Sequence, residues 1–389
     1  MALRSVSEVQ ALLQQANLKE EDLLPETQVL NFSPDFLAVQ QAVVLLELDA
    51  ELLHVFKEGQ RAVLRGDPLE SAVLCTTDKT FQVREAVTSN SMLLVPQIEI
   101  PSESVGERTL VHREVSSLHH AYLEVVPCKP RLHKLRQLLK ECPYQGPEQQ
   151  QLETSHRYNL DELLDRVQCS EEELEAGLRS LGAFHIYGFW QTPEFNYLFR
   201  MVSHITNLVA QRAWPLNGIP YEEALDELSK LEPRTVMAQC LDYYLHPMHE
   251  EREGDSLHAL HGDKVCRLFG EVLIKSSRGM SIDEFRALWA NSVPEGLDTN
   301  LGQLEGLILL DKSAVATVIT YFPNTELPLD AKDRFEILFD VQEKWTYDEI
   351  RPFIDDLGDS KNPVSTLLMK HARASTKDGI KYYTGRYAK

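Results

Sequence analysis

The sequence lacks the features that place a chain in a membrane or outside the cell. No apolar run approaches the roughly 20 residues that a membrane helix needs. Residues 1–10 show no charged-then-apolar leader pattern, which predicts an intracellular chain. The six cysteines, Cys75, Cys128, Cys142, Cys169, Cys240 and Cys266, lie far apart and form no CxxC pair, so in a reducing compartment they read as small buried hydrophobes. Glycine (18) and proline (19) are not enriched, which excludes a collagen-like or fibrous chain. Catalytic signatures are missing as well. There is no GxxxxGK[ST] phosphate loop, no GxGxxG after a strand and no GxSxG elbow. No residue reads as catalytic, and no cofactor or resident metal is expected.

What is present is an ordinary globular composition, 43% hydrophobic and 25% charged. At 389 residues the chain exceeds the roughly 250–300 residues at which one core stops growing, so two or more domains are expected. The formal net charge of −21 argues against general nucleic-acid binding, because phosphate repels such a chain. The charge is uneven, however. Residues 361–389 carry seven cations against the single acid Asp378, a net +6 that leaves −27 on the rest. A second acid-free cluster holds Lys129, Arg131, Lys134, Arg136 and Lys140.

The first third reads as strand-rich. A helix over Ser5–Asn17, with Ser7 as its possible cap, precedes short β-type runs at 43–46, 62–64, 72–75, 81–85, 92–95 and 122–126. Such strands, about ten residues apart, predict an antiparallel barrel or sandwich.

The rest repeats a helical device three times. Asn159, Ser281 and Thr346 each precede a Glu at the capping-box distance, and an apolar helical stripe follows each one. A second helix is expected after each: the first is capped by Ser170, the second includes Leu301, Leu304 and Leu307, and the third begins near Asn362-Pro363. A β-prone segment then closes each set, at 184–190, 315–322 and 380–383. Upstream helices at 132–139, 265–274 and 335–341 complete three winged helix-turn-helix units. Segment 193–245 has helical stripes that do not fit the repeat and reads as a bridge between the first and second units.

Two clusters invite a chemical reading. His246, His249, His258 and His261 form two HxxH pairs, which on a helix face could grip zinc with Glu250 or Asp263. Pro247 inside the first pair and the charged run 250–255 favour a solvated loop instead. The basic tail is either a solvated face or a nucleic-acid surface. In the second reading Lys370, Arg373 and Lys377 share one side of a recognition helix, Lys381 and Arg386 flank the wing, and Lys361 belongs to the same patch. Tyr382, Tyr383 and Tyr387 interleave with these cations. Without Asn or Gln beside the helix cations, contact to phosphate rather than to bases is expected.

Several segments in order carry a family resemblance: Leu64-Arg65-Gly66-Asp67, Asp78-Lys79-Thr80-Phe81, Pro143-Tyr144-Gln145-Gly146-Pro147, Ser292-Val293-Pro294-Glu295-Gly296 and Glu343-Lys344-Trp345-Thr346. With their spacing, they make the chain resemble, nearly end to end, the sister chromatid cohesion subunits of the alternative clamp-loader complex of chromosome transmission fidelity. The resemblance implies an α+β fold: an N-terminal antiparallel β barrel-like domain followed by tandem winged-helix domains. It implies a non-enzymatic nuclear adaptor. Its β region (1–127) would co-fold with a small clamp-loader partner subunit and the C-terminal tail of the large subunit, and would dock on the catalytic subunit of DNA polymerase epsilon. Its winged helices (128–250 with the bridging helices, 251–326, and 327–389 with the basic tail) would bind single- and double-stranded DNA, and PCNA would be engaged indirectly. Two rival expectations remain: a winged-helix transcription or chromatin factor, and a metal-dependent hydrolase built on the HxxH pairs.

Overall fold

The computed structural model describes residues 5–19, 26–66, 71–98, 109–130, 132–150, 156–252, 255–277, 279–311, 317–358, 363–377 and 379–386. The chain divides into two compact units, one of residues 1–76 and 81–127, the other of residues 77–80 and 128–389.

The first unit opens on α1 (Val6–Gln15). Its cap falls on Ser5 rather than Ser7: the Ser5 hydroxyl accepts from the Glu8 amide, and the Glu8 carboxylate accepts from the Ser5 amide at 2.6 Å. There follow β1 (Glu26–Phe32), α2 (Phe36–Ala42), β2 (Leu46–Glu47), α3 (Ala50–Lys57), β3 (Val63–Arg65), β4 (Val73–Cys75), β5 (Thr80–Leu94), β6 (Thr109–Val115) and β7 (Ser117–Pro127). Five of the strands form one sheet in the order β2-β7-β5-β4-β3, and β1 pairs with β6. The expected antiparallel barrel is instead a curled half-barrel, and both β1–β6 and β2–β7 run parallel. The runs at 81–85 and 92–95 belong to one long strand, β5, whose register against β7 shifts between Val87 and Met92. Between those pairs β5 advances five positions against two on β7, and extra residues in one strand bend it and strengthen its twist. The run at 43–46 is mostly not a strand, because Val43 ends α2 by bonding back to Val39.

Among the described residues the hydrophobic cluster of this unit is small. Leu52, Leu74 and Phe81 are buried, with Leu48, Ala62, Val83 and Val125 packed on them, and Val29, Val73, Cys75 and Val115 are buried outside that cluster. Large apolar side chains stay in solvent around it, among them Val87 (80% exposed) and Leu37 (76%), with Val44 and Leu64 close behind. At about 25 cal/mol per Å² of apolar surface, such exposure forgoes stabilisation that a covering chain would supply.

In the second unit one arrangement recurs four times among the described residues. Each instance has a leading helix, a short extended segment, two further helical turns or helices, and a two-stranded ribbon. The first instance comprises α4 (His133–Glu141), α5 (Pro147–Gln150), α6 (Leu160–Arg166), α7 (Glu171–Ser180) and the ribbon β8 (Phe184–Ile186) with β9 (Phe189–Gln191). Its extended segment is a single bridge from Tyr158 to Trp190. The second comprises α8 (Phe195–Gln211), β10 (Ile219–Pro220), α9 (Tyr221–Leu228), α10 (Arg234–Tyr244), β11 (Leu245–Arg252) and β12 (Asp255–Leu260). The third comprises α11 (Gly262–Ser276), β13 (Met280–Ser281), α12 (Ile282–Ser292), a 3₁₀ turn at Leu301–Leu304, β14 (Ile308–Asp311) and β15 (Val318–Tyr321). The fourth comprises α13 (Ala331–Val341), β16 (Lys344–Thr346), α14 (Tyr347–Ile350) with 3₁₀ turns at Arg351–Phe353 and Asp355–Leu357, α15 (Val364–His371), β17 (Ala372–Lys377) and β18 (Ile380–Gly385). The last three sheets share one order: β10-β12-β11, β13-β15-β14 and β16-β18-β17.

The capping boxes stand where the sequence puts them. Asn159, Ser170, Ser281 and Thr346 each accept from the amide of the Glu three residues on, and that Glu accepts in return. This satisfies two orphan amides at each helix start. Two segments differ from expectation. The stretch 193–245, read as a bridge, builds most of a repeat of its own, and residues 250 and 251, placed in different domains by the sequence, both lie on β11. The second helix expected near Leu301–Leu307 is only a 3₁₀ turn. Gly306 just after it takes φ +75°, a conformation that stops a helix and that glycine adopts without strain.

Neighbouring repeats share their interiors. The largest cluster, built on α8, α9 and α10, also takes in Phe184 and Ile186 from the first ribbon and Val265 and Leu268 from α11.

Candidate nucleic-acid interface

The fourth repeat carries the cations of the basic tail on a buried frame. Trp345 is fully buried and donates its indole N–H to the Leu338 carbonyl at 3.0 Å. The Arg334 side chain is 1% exposed; it donates to the carbonyls of Pro328 (2.6 Å) and Phe353 (3.0 Å) and pairs with the Asp356 carboxylate at 2.5 Å. These bonds fix α13 against the turns at 351–357.

On this frame α15 ends at His371, and Ala372 is already extended. The helix face expected to unite Lys370, Arg373 and Lys377 is therefore not formed: Lys370 is on α15, whereas Arg373 and Lys377 are on β17. Pairing with β18 overrides the helix propensity of Ala372–Ala374, because Tyr382 and Tyr383 gain a cross-strand surface. Gly379, at φ +78°, makes the turn.

Alternation along the ribbon sorts its side chains. Ala372 is buried, Tyr383 packs on the core, and a Cβ at Gly385 would stand 3.4 Å from Phe339, so this face is turned inward. The other face carries Arg373, Ser375 and Lys377 opposite Thr384, Tyr382 and Ile380. Arg373 and Lys377 are exposed and about 13 Å apart at ~3.3 Å per residue, with Tyr382 between them across the ribbon. Lys381 falls on the inward-turned face beyond the core, its ammonium 5.3 Å from the Tyr383 ring. Arg386 donates to the Lys370 carbonyl at 3.0 Å, closing the end of α15, and brings a second cation beside Lys370. Lys361 and Tyr387 lie outside the described residues. The ribbon thus gathers Arg373 and Lys377 on one face and sets Lys370 with Arg386 at the helix end, with Lys381 apart. Ser375 and Thr384 join the outer face without having been singled out in the sequence, since only strand alternation reveals them.

The ring of His371 stacks on Phe335 with centroids 5.1 Å apart and planes 9° from parallel. Burial holds its pKa below the usual imidazole range, and the neighbouring Lys370 and Arg386 charges push the same way, against an opposing pull from Asp330.

The other candidates resolve differently. In the Lys129–Lys140 cluster, Leu135, Leu138 and Leu139 of α4 are buried, Lys140 donates to the Thr325 carbonyl at 3.1 Å, and Arg131 lies outside the described residues. The HxxH pairs are not on a helix. His246 and His249 lie on β11, His258 lies on β12 and His261 just after it, so the shared helix face behind a zinc grip does not exist. His246 and His261 approach with ring centroids at 5.8 Å, and no metal-holding group of three His, Cys, Asp or Glu occurs among the described residues. No described helix is long and apolar enough to cross a membrane.

The sequence model of one family, "Sister chromatid cohesion protein Dcc1", matches residues 43–354. Among curated proteins, the chain is 38% identical over 389 residues to sister chromatid cohesion protein DCC1 of Danio rerio, covering 99% of each chain. It is 36% identical to the Homo sapiens protein of that name, covering 98% of each. The Saccharomyces cerevisiae protein is 23% identical over 363 residues, covering 85% of this chain and 92% of its own.

Proposed function

The chain belongs to the sister chromatid cohesion protein Dcc1 family, and from that footing we propose that it is a non-catalytic adaptor subunit of an alternative clamp-loader complex. In this reading it works in the nucleus, links the loader to DNA polymerase epsilon and to DNA, and serves PCNA loading or unloading during sister chromatid cohesion. The observation that carries the proposal is the unclosed sheet of residues 1–127, with its thin core and its exposed Val87, Leu37, Val44 and Leu64. Open edges and uncovered apolar side chains suit completion by strands from other chains. The proposed completing chains are the small clamp-loader partner subunit and the C-terminal tail of the large subunit, and the composite barrel so formed would meet the polymerase.

The four repeats are taken as winged helices. Their helix order, and the sheet order common to the last three, support that assignment. DNA contact is assigned to the fourth repeat, through Arg373 and Lys377 on the ribbon, Lys370 and Arg386 at the helix end and Lys381 as a peripheral charge, with Lys361 included from the sequence alone. Such contacts bind phosphate without reading bases.

The test is co-purification of residues 1–127 and of residues 128–389, each with and without the two clamp-loader partners. The adaptor reading expects the first piece to be soluble only with both partners. If that piece folds alone and ignores them, a winged-helix DNA-binding factor becomes the better description.

A further inference from the structure

We propose that the free edge of β14 is a docking site for an extended apolar segment of a partner protein flanked by Lys or Arg, which joins the sheet of the third repeat as an added strand. β14 ends the sheet order β13-β15-β14. The Phe322 amide donates to the Leu307 carbonyl at 2.8 Å, which fixes the alternation of the ladder. Leu309 and Asp311 therefore exchange bonds with β15. The amides and carbonyls of Ile308 and Leu310 point the opposite way and have no hydrogen-bond partner among the described residues. A free edge of this kind is a template for strand addition.

The neighbouring edge shows what protection looks like. On β16 the Lys344 carbonyl is taken by the Gln342 side chain at 2.7 Å, and the Thr346 amide is held by Glu349 at 3.0 Å. β14 has no such cover among the described residues.

Beside β14 lies a cavity of about 220 Å³, lined by Leu309, Trp345, Pro352 and Phe353. It is smaller than the roughly 300–1,000 Å³ of a cofactor-sized site and suits one or two side chains of an added strand. The acids Glu305, Asp348 and Glu349 also line it. Arg351 offsets them in part, reaching Glu305 at 3.8 Å and Asp355 at 3.6 Å. An apolar slot with a net acidic rim selects a basic-flanked peptide and repels phosphate, so the occupant is protein rather than nucleic acid.

The test uses the full chain and capped, fluorescein-labelled pentapeptides read by fluorescence polarisation. Lys-Ile-Val-Ile-Lys should bind saturably and slow amide exchange at Ile308 and Leu310. N-methylation of the two peptide amides that would face β14 should weaken binding by about tenfold, the equivalent of ~1.4 kcal/mol for two net hydrogen bonds. Glu-Ile-Val-Ile-Glu should not bind. The exposed-site variant Glu305→Lys with Asp348→Lys should reverse that preference while leaving the fold intact. Absence of saturable binding, equal binding of the N-methylated peptide, unchanged exchange at Ile308 and Leu310, or indifference to the two charge reversals would each overturn the proposal.

Discussion

At the scale of single residues, the side chains that hold the fourth repeat together are those a sequence disguises. Arg334 reads as one more surface cation, yet its side chain is 1% exposed and satisfies two backbone carbonyls and a carboxylate. Arg334→Leu should destabilise the repeat by on the order of 3 kcal/mol, because the carbonyls of Pro328 and Phe353 lose their donor inside the protein. Denaturant unfolding of the full chain would show this as a lowered midpoint at an unchanged slope. His371 gives a second check. Its folded pKa lies below its unfolded value, so the unfolded chain takes up the extra proton. Its contribution to stability is therefore complete above about pH 6.5 and is lost as the pH falls below that. His371→Gln should flatten the decline in melting temperature between about pH 7 and 5. His261, also depressed chiefly by burial, acts in the same direction, so some slope should remain. Neither role is visible in sequence, since burial of Arg334 and His371 depends on partners up to tens of residues away.

At the scale of elements, the legible signals were the ones made locally. The capping boxes at Asn159, Ser170, Ser281 and Thr346 involve residues three apart, and each is where the sequence places it. The end of α15 is set by a cross-strand partner ten or so residues on, and there the sequence suggested a helix where a ribbon stands. That difference changes the expected DNA contact. On the ribbon Arg373 and Lys377 act together and Lys381 is turned away from them. Arg373→Glu with Lys377→Glu should weaken binding to any DNA sequence and reduce the salt dependence by about one unit per lost phosphate contact. Lys381→Glu should do less. A salt titration of binding by the full chain and both variants decides this, and equal losses in the two would move the contact surface away from the outer ribbon face. α2 and α3 escaped the sequence for a related reason. Both are short, with α3 signalled only by its Asp49 cap, and both sit among β-prone runs.

At the scale of the whole molecule, the fold class was readable as α+β, and the break into a β-rich first part and a helical remainder follows from composition and period. The fourfold repetition was only three-quarters visible. The second repeat shows no capping box: α9 and α10 start after Pro220 and Pro233, which lack a capping side chain, and α8 is capped by the Glu194 carboxylate alone. Its interior is also not its own, because Phe184 and Ile186 arrive from the preceding ribbon and Val265 and Leu268 from the following helix. A chain cut after residue 250 loses β12 and α11, and with them Leu260, Val265 and Leu268 from that interior. It should behave as a partly unfolded species, with broad thermal melting and fast proteolysis across α9 and α10, whereas the full chain melts sharply.

The shared interior also constrains how such an array can change over evolutionary time. A module that closes its own core can be duplicated, deleted or exchanged by recombination at its borders. The second repeat cannot, since excising it would strip apolar partners from both neighbours at once. Lineages can therefore vary this protein at its surfaces and its ends, while the middle of the array is inherited as a block.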